Sequence, residues 1–207
     1  MVDNAAGSGD ALSPVDIAFT PSTRAVQARK GSRGIYAGMK MGDTIDDHLA
    51  AFIAARDSFF LASASADGQP YIQHRGGPAG FLHVINDRNL GFADLRGNRQ
   101  YISTGNFAEN RKAFIFLMDY RTRQRVKMWG TMRVIEDDPV LIASLLPAGT
   151  PLHPEAAMLF TVTAWDSNCP AYIPQLFPAA DVAAALAERD ARIATLEAEL
   201  AALARFQ

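Results

Sequence analysis

Cysteine is almost missing from this chain: Cys169 is the only one among 207 residues. That excludes an intrachain disulfide framework and a multi-cysteine metal site, and it fits a reducing, cytoplasmic setting. Cys169 sits in no nucleophile signature, and nothing near it in sequence would hold it as a thiolate. No apolar run reaches the roughly 18 residues of a membrane-spanning helix. The opening stretch MVDNAAGSGDALSP lacks a basic segment followed by an apolar one, so no signal peptide is expected. Charge of one sign is not in excess. With 22 acidic and 20 basic side chains the net charge is −2, which gives no reason to expect nucleic acid or a membrane surface as partner. His48, His83 and His153 have no metal-ligand spacing, so no metal site is assigned. Nucleophile elbow, Walker loop and GxGxxG fingerprint are all missing. Gly76, Gly77 and Gly80 do not fit dinucleotide spacing, and no βαβ context surrounds them. There is no internal repeat.

What remains is 49% hydrophobic and 20% charged, the composition of one globular domain with a sizeable core and appendages. Residues 1–13 are small and polar and are expected to be disordered. Residues 14–43 form a helical arm in which Thr20 caps a helix that begins with Pro21 and stops at Gly31. Its cations Arg24, Arg29, Lys30 and Arg33 are either a solvated face or an arm resting on a partner subunit near an anionic ligand. Residues 44–178 form the main domain. Thr44-Ile45-Asp46-Asp47 opens a helix with a hydroxyl cap, and Leu49, Phe52 and Ile53 make its apolar stripe.

The period then changes to that of strands. Phe59–Ser65 and Pro70–Arg75 form a hairpin around Asp67-Gly68. Phe81–Ile85, Leu90–Ala93, Ala113–Met118, Gln124–Ile135 and Ala157–Trp165 follow, with short helices at Tyr101–Ala108 and Pro139–Leu146. Many short strands with few helices predict a mainly β fold, a closed or nearly closed antiparallel barrel with flanking helices. From 181 to 207 the chain is almost all helix formers. Leu186, Ile193 and Leu200 fall seven apart, and Val182, Leu196 and Leu203 fill the other seam position, broken once by Arg189. That is about three heptads of an amphipathic, coiled-coil-like helix. Pairing between subunits is favoured over packing on its own barrel, because Ala is too small to build a broad apolar stripe.

Three stretches carry candidate chemistry. LGFADLRGNRQY (Leu90–Tyr101) ends an apolar strand in a loop that delivers Arg96, Asn98, Arg99 and Gln100. Two planar cations and two amides around Gly97 suit an oxyanion such as phosphate; otherwise this is a basic surface loop. Gln73-His74-Arg75-Gly76-Gly77 stops a strand with polar side chains and two glycines against which a flat ligand can lie; otherwise Gln73 and Arg75 face solvent. Gln124–Gly130 puts Arg125, Lys127 and Trp129 on one face and Val126 and Met128 on the other. That face suits an anionic aromatic ligand, or pairs with acids such as Glu136 or Asp119. Asn168, after the last strand, is a further polar contact.

Together, SFFLASASADGQPYIQHRGG, LGFADLRGNRQY, RQRVKMWG and WDSNCPAYIP resemble the pyridoxamine 5′-phosphate oxidase-like family of FMN-binding split barrels, over about Asp46 to Pro174. The resemblance implies a split antiparallel β-barrel that binds FMN without a covalent link at a homodimer interface. It implies an oxidoreductase, a flavoprotein acting on a small-molecule substrate or electron donor. Asn98, Arg99 and Gln100 stand where the family holds FMN phosphate. Gln73, His74, Arg75, Gly76 and Gly77 would run along the flavin ring, with Tyr101, Arg125, Trp129 and Asn168 completing the cofactor set. Gln100 replaces a lysine of the vitamin B6 oxidases, and the segment those enzymes use for pyridoxal phosphate is replaced by SNCPAYIP and the heptad helix. The expected chemistry is therefore flavin oxidoreduction other than vitamin B6 oxidation. The alternatives are a flavin reductase with a nicotinamide or deazaflavin donor, and a non-catalytic flavin- or haem-binding, stress-related protein with His74 or His83 as haem ligands.

Overall fold

The structure is a computed structural model that describes residues 12–147, 153–168 and 170–204, except for the side chain of Asn168. The expected disorder of residues 1–13 concerns positions that lie almost wholly outside this range, as does Cys169. Two units are distinguished, 1–118 with 125–169, and 119–124 with 170–207.

The larger unit opens with α1 (Pro14–Ala18) and α2 (Pro21–Arg29). The Thr20 hydroxyl accepts from the Thr23 N–H and caps α2, and Gly31 beyond it takes φ +76°. Arg24 pairs with Asp16 across the two helices. The next helix, α3 (Asp47–Ala54), is capped by Asp46, whose carboxylate accepts from the Leu49 N–H at 2.8 Å. Sequence favoured Thr44 as the hydroxyl cap. Instead the Thr44 carbonyl accepts from the Trp165 indole at 2.7 Å, and the chain enters the helix two residues later.

Seven strands follow: β1 (Ser58–Ala64), β2 (Pro70–Gly76), β3 (His83–Val84), β4 (Asn89–Leu95), β5 (Lys112–Asp119), β6 (Gln124–Ile135) and β7 (Pro154–Asn168). Between them lie α4 (Ile102–Glu109) and α5 (Pro139–Ser144). The strands make one antiparallel sheet in the order β2-β1-β5-β6-β7-β4-β3. Its two edges, β2 and β3, do not pair, so the barrel is split and the closed alternative is set aside. The predicted strand Phe81–Ile85 shrinks to His83–Val84 because Phe81 and Leu82 are drawn into the core. Phe81 stacks on Phe59 at 5.5 Å between ring centroids. Burying two large side chains outweighs two more ladder bonds on an edge strand.

Strand alternation builds the core. Phe59 and Leu61 of β1, Ile115 and Leu117 of β5, Val126, Met128 and Met132 of β6, Met158, Phe160 and Val162 of β7, and Leu90 and Phe92 of β4 all face one side. Leu49 and Ile53 of α3 and Phe107 of α4 close it. Gly130 lies at a register shift between β6 and β7. A Cβ there would run into the Thr161 carbonyl and the Phe160 ring, with backbone on one side. Gly130→Ala is therefore expected to lower stability by about 1–3 kcal/mol, the cost of overpacking a filled site, read as a fall in urea midpoint at unchanged slope.

The smaller unit contains the β5–β6 turn, 170–178 and α6 (Ala179–Ala204). Within it Asp119 accepts from the Arg121 and Thr122 N–H groups, and Arg123 takes φ +56°. Arg121 ties the turn to the start of α6 through Asp181 at 3.0 Å, and its carbonyl accepts from Gln175.

Candidate functional site

On β2 the alternation puts Tyr71, Gln73 and Arg75 on the same side as Ser63, Leu61 and Phe59, their register partners in β1. They are half-buried because β2 is the sheet edge, so this side opens there into a cleft. The cleft is lined by Gln73, Arg75, Asp94, the loop Gly97–Gln100, the first turn of α4 and Glu155.

The first turn of α4 is presented unusually. Its cap residue Tyr101 has φ +52° and makes no side-chain cap bond, and Arg99 has φ +60°. Two left-handed residues that are not glycine hold the loop in a conformation costing about 1 kcal/mol or more each. Ile102, Ser103 and Thr104 of this first turn line the cleft, and a helix N-terminus is an ordinary setting for an anion. Gln73 anchors this arrangement: its side-chain oxygen accepts from the buried Ser103 hydroxyl at 2.9 Å. Asn98 and Gln100 bond to one another at 3.2 Å, closing the loop on itself.

The cations are not equivalent. Arg96 donates to Glu155 at 2.8 Å. That bond holds the Glu155 carboxyl below its ordinary range, with help from Tyr101, Arg96 charge and Arg99 charge. Arg96 and Arg99 are both raised, Arg96 first by its bond to Glu155 and Arg99 first by the Tyr101 hydroxyl. Arg96 is thus ion-paired with Glu155, while Arg99 lies beside the Tyr101 hydroxyl at the cleft. A lowered carboxyl stabilises the fold above its unfolded pKa near 4.5, and this is lost as the pH falls through the lower folded value. The difference in urea midpoint between the wild type and Glu155→Gln should be flat from pH 7 to 5 and should shrink toward zero below pH about 4.5.

Arg75 pairs with Asp94, the side chains 13% and 14% exposed. Its guanidinium lies 5.7 Å from the Phe92 ring centroid, and its Nε is buried without a hydrogen-bond partner among the described residues. Beside the cleft, and sharing Gln73, Arg75, Leu95 and Gly97 with it, lies a second cavity of about 180 Å³. This one is walled by Gly76, Gly77, Phe81, Phe92 and Leu145. At Gly77 a Cβ would meet the Phe81 ring. A polar, cation-bearing cleft therefore runs into an apolar one along the strand Gln73–Gly77.

The expected site residues divide accordingly. Gln73, Arg75, Asn98, Arg99, Gln100 and Tyr101 come together in the cleft, and Gly76 and Gly77 border the apolar cavity. His74 also borders that cavity, but its ring alternates to the outer side of β2, where it meets Phe60 edge-on at 5.7 Å. Arg125 and Trp129 are on that same outer face, with Trp129 packed on Phe114 at 4.9 Å. Lys127 there pairs with Asp166 at 3.0 Å, not with Glu136 or Asp119. The side chain of Asn168 lies outside the described residues. Asp94, Ser103 and Glu155 were not singled out from sequence. An acid inside the apolar run LGFADL was a readable sign for Asp94. Glu155 lies too far along the chain to have carried one.

A sequence profile described as pyridoxamine 5′-phosphate oxidase matches residues 45–169. The chain belongs to the pyridoxamine 5′-phosphate oxidase family. The match covers the split sheet and every residue of the cleft. Solved structures with a similar chain path include HupZ from Group A Streptococcus, at 16% identity over 58% of this chain and 91% of that one, TM-score 0.48. An FMN-binding protein from Syntrophomonas wolfei aligns at 12% over 70% and 97%, TM-score 0.45. HutZ, the haem storage protein of Vibrio cholerae, aligns at 16% over 58% and 89%, TM-score 0.37. A search of curated proteins gave no match. Among the described residues no helix of this family member is long and apolar enough to cross a membrane, and no three His, Cys, Asp or Glu groups gather as a metal site.

Proposed function

We propose that this family member is an FMN-dependent oxidoreductase that works as a homodimer. The observation that carries the reading is the continuity of the two cavities. One end offers Arg99 and the uncapped start of α4 to a phosphate. The other offers an apolar trough along Gln73–Gly77 for a flat ring. The orphaned Nε of Arg75 at their junction is a donor that a ring carbonyl or ring nitrogen can satisfy. The donor set thus fits FMN. When bound, the flavin supplies the electron transfer, and the protein supplies binding, orientation and electrostatics. Arg99 takes the phosphate with Asn98 and Gln100 shaping the loop. Gln73 holds α4 in place through Ser103. Arg75, kept in position by Asp94, donates toward the ring.

The homodimer reading draws on the outer sheet face. Phe60, Phe114, Phe116 and Trp129 are only half-covered, and Ile72 is 66% exposed. A contiguous apolar face of this kind is a docking surface. Arg125 and Trp129 lie on it and are assigned to the flavin held between subunits.

The visible spectrum of the purified protein, with and without added FMN, tests the reading. Flavin bands that are released on heating, bleached by an electron donor and restored by an acceptor are the expected result. A colourless protein that leaves FMN fluorescence unquenched would overturn it. A Soret band would redirect it to haem.

A further inference from the structure

Helix α6 is the longest in the chain, and no side chain along it is buried. Val182, Leu186, Ile193, Leu196, Leu200 and Leu203 make its seam, each 40–66% exposed. With Leu186, Ile193 and Leu200 at position a, the other seam residues fall at d, and Arg189 is the one polar d residue. The same frame places Asp190 and Glu197 at e and Arg192 and Glu199 at g. Among the described residues none of Arg189, Asp190, Arg192 and Glu197 makes an ion pair or hydrogen bond. A row of unpaired charges thus borders an uncovered apolar seam.

We propose that α6 pairs with α6 of a second copy of this chain as a parallel, in-register, two-stranded coiled coil. Charge complementarity favours the parallel orientation. In a parallel pair a g residue faces the e residue five positions on in the other helix, so Arg192 meets Glu197 twice by symmetry. A d residue packs against the neighbouring e′ position, so each Arg189 in the seam lies against Asp190 of the other helix. The two seam arginines face each other across their d layer, and the flanking Asp190 carboxylates offset that repulsion. An antiparallel pair brings e against e′ and g against g′, so its Arg192–Glu199 attractions are cancelled by Asp190 beside Glu197, like against like. A slip of one heptad halves the Arg192 and Arg189 pairings, sets Glu199 of one helix beside Glu197 of the other, and shortens the seam by a heptad. Leu at d in two of four layers suits two strands, and a single polar seam residue selects register at some loss of stability. The inference builds on the homodimer reading and adds which segment of the second copy is met, and in which direction.

Cysteine placement in the full chain, in a Cys169→Ser background, tests it. Leu196→Cys should be driven by mild oxidant to a disulfide-linked dimer at least tenfold faster than Ala198→Cys, which sits on the outer face at f. Equal rates at 196 and 198, or none at either, would overturn the pairing. Faster mixed dimer formation between Ile193→Cys and Leu196→Cys chains than by Leu196→Cys alone would overturn the parallel direction. Arg189→Leu removes the polar layer, and its dimer should dissociate with at least a tenfold lower constant; no change would remove Arg189 from the seam. Light scattering without oxidant separates the two readings. A dimer mass with no cross-link leaves the homodimer standing without the helix, whereas a monomer mass ends both.

Discussion

Asp94→Ala is expected to destabilise the protein by about 3 kcal/mol, near the low end for removing one partner of a buried ion pair. Arg75 and Asp94 are 13% and 14% exposed. Taking the carboxylate away leaves a guanidinium enclosed by Phe92 and Met158, with its Nε already without a hydrogen-bond partner among the described residues. Much of the cost is that uncompensated charge, not the lost bond. The double change Arg75→Met with Asp94→Leu should then recover most of the loss, because apolar side chains of similar volume replace the pair. Urea unfolding of the three variants is the measurement. The double variant should stay impaired in FMN binding, which separates a stabilising role of the pair from its role in the cleft. Recovery of both together would take Arg75 out of the site.

Arg99→Ala should weaken FMN binding by about 1.5–3 kcal/mol, the scale of charge-assisted hydrogen bonds to an anion. That is roughly a 10- to 150-fold rise in Kd, read by quenching of flavin fluorescence. Arg99 is chosen over Arg96 because Arg96 is held on Glu155. Arg99 is also one of two left-handed residues leading into α4, and it lines the same cleft as the first turn of that helix. Alanine keeps the helix and loses the cation. Arg111→Ala, outside the cleft, should leave Kd unchanged. Equal Kd for Arg99→Ala and wild type would move the phosphate elsewhere.

Local order was readable from sequence wherever it rests on local causes. The Thr20-Pro21 start of α2, the Asp67-Gly68 hairpin, the whole of β6 and the alternation of Arg125, Lys127 and Trp129 against Val126 and Met128 all follow from near neighbours. The loop Arg96–Gln100 was visible for the same reason: five consecutive residues carry its donors. Position among distant segments was not readable. Nothing in QHRGG tells that Gln73 bonds Ser103, thirty residues on, or that Arg75 meets Asp94. Nothing in the two basic stretches tells that one lines the cleft and the other the opposite face of the sheet. That depends on β2 being an edge strand beside β1, a result of strand order.

By itself, then, sequence determined the mainly β architecture, the C-terminal helix and the family, because each is written in contiguous residues with a period or a motif. Tertiary structure alone decided that the barrel stays split and that the cleft runs into an apolar trough. It also decided that Glu155 engages Arg96. Those outcomes come from long-range pairing, where burial of Phe81 and Leu82 outweighs a longer β3 and where charges far apart along the chain find one another.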